Sequence, residues 1–75
     1  MLRMDIRLPG VESIREFVNI ANRFPFTISL RQGRAEVDAK SLLGVFSLDH
    51  TKPITLDAFS DHHSELMEAL SKYAC

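Results

Sequence analysis

The chain has 75 residues, nine Lys and Arg against ten Asp and Glu, a formal net charge of −1 and a single cysteine. That length predicts one domain, residues 1–75, and a chain this small hides only about 60% of the surface that unfolding would expose. The balanced charge provides no basic field for nucleic acid, no apolar run reaches the ~18 residues of a membrane span, and a lone cysteine cannot close an internal disulfide.

The opening "MLRMDIRLPG" lacks a secretory apolar region, so a cytoplasmic protein is expected. Leu2, Met4, Ile6 and Leu8 alternate with Arg3, Asp5 and Arg7, which predicts a strand with one buried face. Pro9-Gly10 ends it. The period then lengthens: Ile14, Phe17, Val18, Ala21 and Phe24 fall at helical spacing. Two starts fit this helix. Ser13 with Glu16 has the spacing of a capping box; alternatively the helix begins nearer Gly10, with Ser13 in its first turn. Pro25 ends it by either reading.

Alternation returns with Phe26, Ile28 and Leu30 facing in. Gln32-Gly33 is then expected to form a tight hairpin turn with glycine at positive φ, followed by a strand with Ala35, Val37 and Ala39 inward. Ile54, Leu56 and Ala58 make a fourth strand. Ser60-Asp61 can cap a last helix whose inner face is Leu66, Met67, Leu70 and Tyr73. The order β-α-β-β-α-β-α predicts an α+β open-faced sandwich, with helices on one sheet face and a wet, mixed-charge face on the other.

Between the third and fourth strands lies "SLLGVFSL", residues 41–48, too apolar for a short surface helix. Ser41 is a natural N-cap. At 100° per residue, Leu42, Leu43 and Phe46 fall within an arc of roughly 100°, while Val45 and Leu48 lie on another side. One cluster can face the core; the other forms a surface patch with the Ser41 hydroxyl at its edge. Gly44 costs roughly 1 kcal/mol against alanine in a helix, so a close approach there is expected. If both clusters were core, loops would have to close over the second.

The run Ala39-Lys40-Ser41-Leu42-Leu43-Gly44-Val45-Phe46-Ser47-Leu48 resembles the HPr family, the small phosphocarriers of the bacterial sugar phosphotransferase system. The likeness extends to "FVNIANRF", to the hairpin after it and to "KPITLDAF". It implies a four-stranded antiparallel sheet with three helices on one side. It further implies that the short second helix is a docking surface, with Leu42, Leu43 and Phe46 exposed. In some relatives the serine matching Ser41 is phosphorylated by an ATP-dependent kinase, and that form binds a transcriptional repressor. On this reading the partners are proteins: a serine kinase, a transcriptional regulator or phosphotransferase-system components. Lys40 lies beside the patch as a positive group, and a phosphate on Ser41 is tolerated at a helix start.

The family's chemistry lies in a run close to H-x-R-P-A ahead of the first helix. Counted back from Phe17-Val18, the histidine position falls on Gly10, the arginine position on Glu12 and the proline position on Ser13. Phosphocarriage needs an imidazole nitrogen as nucleophile and a cation beside the phosphate. Glycine supplies neither, and Glu12 brings the opposite charge. The expectation is a regulatory or interaction protein that is not a competent histidine carrier. The alternative is an atypical carrier with a divergent loop or with His50 as acceptor, since the family topology puts His50 at the Gly10 end and His62 and His63 at the other.

Adjacent helical histidines chelate poorly, so no metal is expected at His62-His63. No triad and no glycine-rich phosphate loop appear, so neither an enzyme nor a cofactor is expected. Cys75 reads as a frayed terminal thiol. The apolar patch allows a monomer or a weak homodimer.

Overall fold

A computed structural model describes residues 1–75. Strand β1 (Leu2–Ile6) is followed by α1 (Val11–Ala21), β2 (Ile28–Gln32), β3 (Ala35–Asp38), α2 (Leu42–Phe46), β4 (Ile54–Ala58), α3 (Ser64–Ala69) and a 3-10 turn (Ser71–Tyr73). The strands form one antiparallel sheet in the order β1-β4-β2-β3. Its inward rows follow the alternation: Ile6 pairs with Ile54, Met4 and Leu30 flank Leu56, and Ile28 meets Ala58. Ile14, Phe17, Val18 and Ala21 of α1 and Leu66 of α3 are buried in the same core.

Several boundaries differ from the sequence expectation, each for a local reason. At its head α1 takes the second of the two starts left open by the sequence, with Gly10 as the N-cap and Ser13 in the first turn. The Ser13 hydroxyl donates to the Gly10 carbonyl at 2.7 Å and accepts from the Gly10 N–H at 3.1 Å, so it closes the first turn from inside. The helix stops at Ala21, ahead of Pro25, where the Asn22 side-chain amide donates to the Val18 and Lys40 carbonyls. Phe26 lies before β2 and is half-buried. The hairpin turn is Gly33-Arg34, one residue later than expected, because Gln32 pairs with Ala35. Gly33 has φ +59 and Arg34 does not share the positive φ, the pattern of a turn with glycine at its first central position.

Ala35 was expected to face in but is exposed, because β3 is the edge strand and its first residue lies beyond the helical cover. Helix α3 begins at Ser64 with His63 at the cap position, so Ser60-Asp61 does not cap it. The Ser60 hydroxyl accepts instead from the His62 N–H at 3.0 Å, which closes a turn ahead of the helix. Met67 is 42% exposed rather than on the inner face, since α3 is short and buries Leu66. Tyr73 does pack inward, from the separate 3-10 turn, edge-on to Phe17 at 6.4 Å between ring centres.

The sheet's outer face is less wet than mixed charge suggests. Asp57 is only 3% exposed, and it accepts from Arg3 Nε at 2.6 Å and Arg31 Nε at 2.8 Å. The two guanidiniums, Arg3 first, hold its carboxyl below the usual aspartate range. The terminus is pinned rather than frayed: Ala74 bridges Ile6, the Arg7 N–H donates to the Tyr73 carbonyl, and the Cys75 N–H donates to the Asp5 carbonyl.

Candidate functional site

Helix α2 divides its apolar residues between two sides. Val45 is fully buried and Leu48 nearly so, whereas Leu43 is 83% exposed and Leu42 and Phe46 are 39% exposed each. Three large apolar side chains therefore lie at the surface of one helical turn in a molecule with little core to spare.

Ser41 is the N-cap, half-buried, with extended backbone, and its hydroxyl accepts from the Gly44 N–H at 3.1 Å. Gly44 answers to a close approach from within the chain. A β-carbon there would stand 3.3 Å from both the Ser41 hydroxyl oxygen and the Val37 Cβ, tighter than ordinary van der Waals contact. The glycine thus lets α2 sit down on β3.

Lys40 is not a free cation at the edge of the patch. Its ammonium donates to the Phe24 carbonyl at 2.6 Å, its N–H donates to the Asp38 carboxylate at 2.8 Å, and its carbonyl accepts from Asn22 at 3.1 Å. The residue ties the start of α2 to the end of α1.

At the head of α1, Gly10 is exposed with φ −147, and a side chain there would meet nothing within 4 Å. Neither backbone conformation nor space demands glycine. Glu12 lies in the first turn and is exposed.

The pairing of Ile6 with Ile54 and of Leu2 with Ala58 places His50 at the Gly10 end of the sheet and His62 and His63 at the opposite end. His50 is half-buried. Its Nε2 lies 2.7 Å from the Val45 carbonyl, which requires that nitrogen to carry a proton, and Nδ1 is enclosed without a partner. The loop bearing it is held by Gln32, whose amide donates to the Asp49 carbonyl at 2.7 Å and accepts from the Asp49 N–H at 2.8 Å. Asp49 accepts from the hydroxyl and N–H of Thr51, which lowers its carboxyl pKa. From sequence Gln32 reads only as a hairpin-turn residue; a polar residue closing a strand carries no signal of a partner 17 positions on.

His62 is exposed and His63 half-buried, and no group of three or more His, Cys, Asp or Glu gathers here or elsewhere. No helix is long and apolar enough to cross a membrane.

Comparison with known proteins agrees with this architecture. The HPr copy from Thermoanaerobacter tengcongensis described as HPr-C-His superposes with a TM-score of 0.80 at 24% identity, over 96% of this chain and 89% of that one. The phosphocarrier protein HPr of Bacillus anthracis str. Ames gives 0.77 at 25% identity, over 99% and 96%. No curated protein matches the sequence. The sequence-family description "PTS HPr component phosphorylation site" covers residues 13–74, a span that holds α2 and begins just after Glu12. HPr proteins are phosphocarriers rather than enzymes in the usual sense, and they work by contact with other phosphotransferase-system proteins. With most of its length matched, this chain belongs to the HPr family of the phosphotransferase system.

Proposed function

We propose that residues 1–75 act as a single HPr-like regulatory domain. It docks protein partners through Leu42, Leu43 and Phe46, is switched by phosphorylation of Ser41, and does not carry a phosphoryl group on histidine. The observation that carries this reading is the division of α2, with Val45 buried and Leu43 83% exposed. An exposed apolar turn costs solubility and is retained where a partner covers it. Ser41 adjoins that turn, so a phosphate there changes the charge at the rim of the docking surface.

The loss of carriage is supported at the head of α1, where Gly10 offers no imidazole and Glu12 places negative charge in the first turn. A phosphoryl acceptor needs an open lone pair on nitrogen. His50 is the competing acceptor, but its Nε2 is engaged by Val45 and its Nδ1 is enclosed. Lys40 serves this reading as a support of α2 rather than as a partner contact. The cytoplasm, where HPr kinases and regulators act, is the compartment this function requires.

The test is intact-mass spectrometry after incubation with ATP and an HPr serine kinase. One acid-stable phosphate is expected, absent in Ser41→Ala and slowed in Leu43→Asp. An unmodified protein, or a phosphate that survives Ser41→Ala, would remove the switch.

A further inference from the structure

We propose that Lys40 is the sensor of the Ser41 phosphate: on modification its ammonium leaves the Phe24 carbonyl for the phosphate, and the signal reaches the α1–β2 corner. The inference rests on the Ser41 reading above. It arises from how Lys40 is held. Its ammonium donates to the Phe24 carbonyl at 2.6 Å, and Asn22, the residue that caps the end of α1, donates back to the Lys40 carbonyl at 3.1 Å. These reciprocal bonds fasten residues 22–24 to the residue that precedes the modified serine.

A phosphate on Ser41 disturbs that arrangement for electrostatic reasons. Asp38 already places a carboxylate on this side of the serine, 2.8 Å from the Lys40 N–H, so the added charge of about −2 meets a like charge. Lys40 is the adjacent cation. A bond from ammonium to a phosphate oxygen is charged at both ends and outcompetes one to a neutral carbonyl. The exchange breaks the hydrogen bond to Phe24 and forms one to the phosphate; no covalent bond changes.

The consequence lies in what Phe24 belongs to. Phe24, Pro25 and Phe26 form one wall of the largest groove in the molecule, about 610 Å³, whose other wall includes His62, His63 and Glu65. The two phenylalanine rings pack against each other at 5.6 Å between centres. Releasing the Phe24 carbonyl frees this wall, so a modification at the start of α2 is read at the opposite end of the sheet from Gly10.

The experiment installs phosphoserine at position 41 during translation, which makes it independent of any kinase. Amide NMR shifts are compared with those of unmodified protein, in the wild-type background and in Lys40→Met and Lys40→Arg. Phosphoserine is expected to move the amides of Phe24 and Phe26 and the Asn22 side chain in wild type. In Lys40→Met those signals should start displaced and no longer respond, and Lys40→Arg should restore the response. Shifts confined to residues 40–45, or an equal response at residues 22–26 in wild type and Lys40→Met, would overturn the exchange. Failure of the kinase to modify Ser41 would count against the regulatory switch alone and would leave this comparison intact.

Discussion

Arg3 and Asp57 face each other across β1 and β4, and Arg3 Nε donates to the Asp57 carboxylate at 2.6 Å. Arg31 Nε donates to the other carboxylate oxygen at 2.8 Å, so one buried acid ties β1, β4 and β2 together. The arginine side chains are 57% and 40% exposed and can return to water, so removing the acid does not strand buried charge. Asp57→Asn is expected to cost about 1.5–3 kcal/mol at pH 7, the range for hydrogen bonds to charged groups. Because the folded-state pKa of Asp57 is depressed, its contribution is complete above the unfolded value of about 4 and is lost as pH falls below it. Urea unfolding at pH 7 and near pH 3 should show the wild-type advantage over Asp57→Asn shrinking toward zero in acid.

Tyr73 offers a cleaner titration, because it is the only tyrosine and the chain has no tryptophan. Burial first, and the hydrogen bond to Glu16 second, push its phenol well above its ordinary value. Glu16, which also pairs with Lys72, is held below the usual carboxylate range by that lysine and by Tyr73. The phenol's contribution to stability is present below about pH 10 and is lost as pH rises past it. Absorbance at the tyrosinate band should stay flat near pH 10–11 in the folded protein and rise only with unfolding. A titration midpoint near 10 in folded protein would place the phenol in water.

Ser41 can be separated into cap and switch. As a cap it accepts from the Gly44 N–H, and Ser41→Ala should cost about 1 kcal/mol in urea unfolding. Ser41→Asp supplies another good capping oxygen and should retain most of the stability. If Asp and Ala destabilise equally, the cap is not what serine contributes.

The two sides of α2 should respond oppositely to truncation. Val45→Ala removes two methyl groups from a fully buried site and is expected to cost about 2 kcal/mol. Leu43→Ala, at an exposed site, should stay within about 0.5 kcal/mol of wild type while weakening partner binding. A destabilised Leu43→Ala would mean that the side chain is structural.

What could be read from sequence was what repeats at short range. Leu2 to Ile6 and Ile28 to Leu30 alternate because the sheet is covered on one side, and Ile14, Phe17, Val18 and Ala21 keep helical spacing because α1 lies on it. The division of α2 followed from angle alone, and the structure resolves which side is core. Long-range pairings left no such trace. Nothing in a periodic pattern marks Asp57 as the partner of Arg3, 54 positions away, or directs the Lys40 ammonium toward the end of α1. The same blindness hid the role of Gln32, which holds the His50 loop through Asp49. Single side chains decide the ends of α1: Ser13 settles which of the two open starts is used, and Asn22 stops the helix short of Pro25.

On the reading proposed above, this HPr fold serves regulation without histidine carriage. That reading is tested most directly by incubating the protein with phosphoenolpyruvate and the first enzyme of the phosphotransferase system, then recording its intact mass at neutral pH. An unchanged mass is expected, while a standard HPr in the same reaction gains one phosphoryl group. An acid-labile phosphate on this chain, lost in His50→Ala, would contradict the account and make the protein a carrier with a relocated histidine.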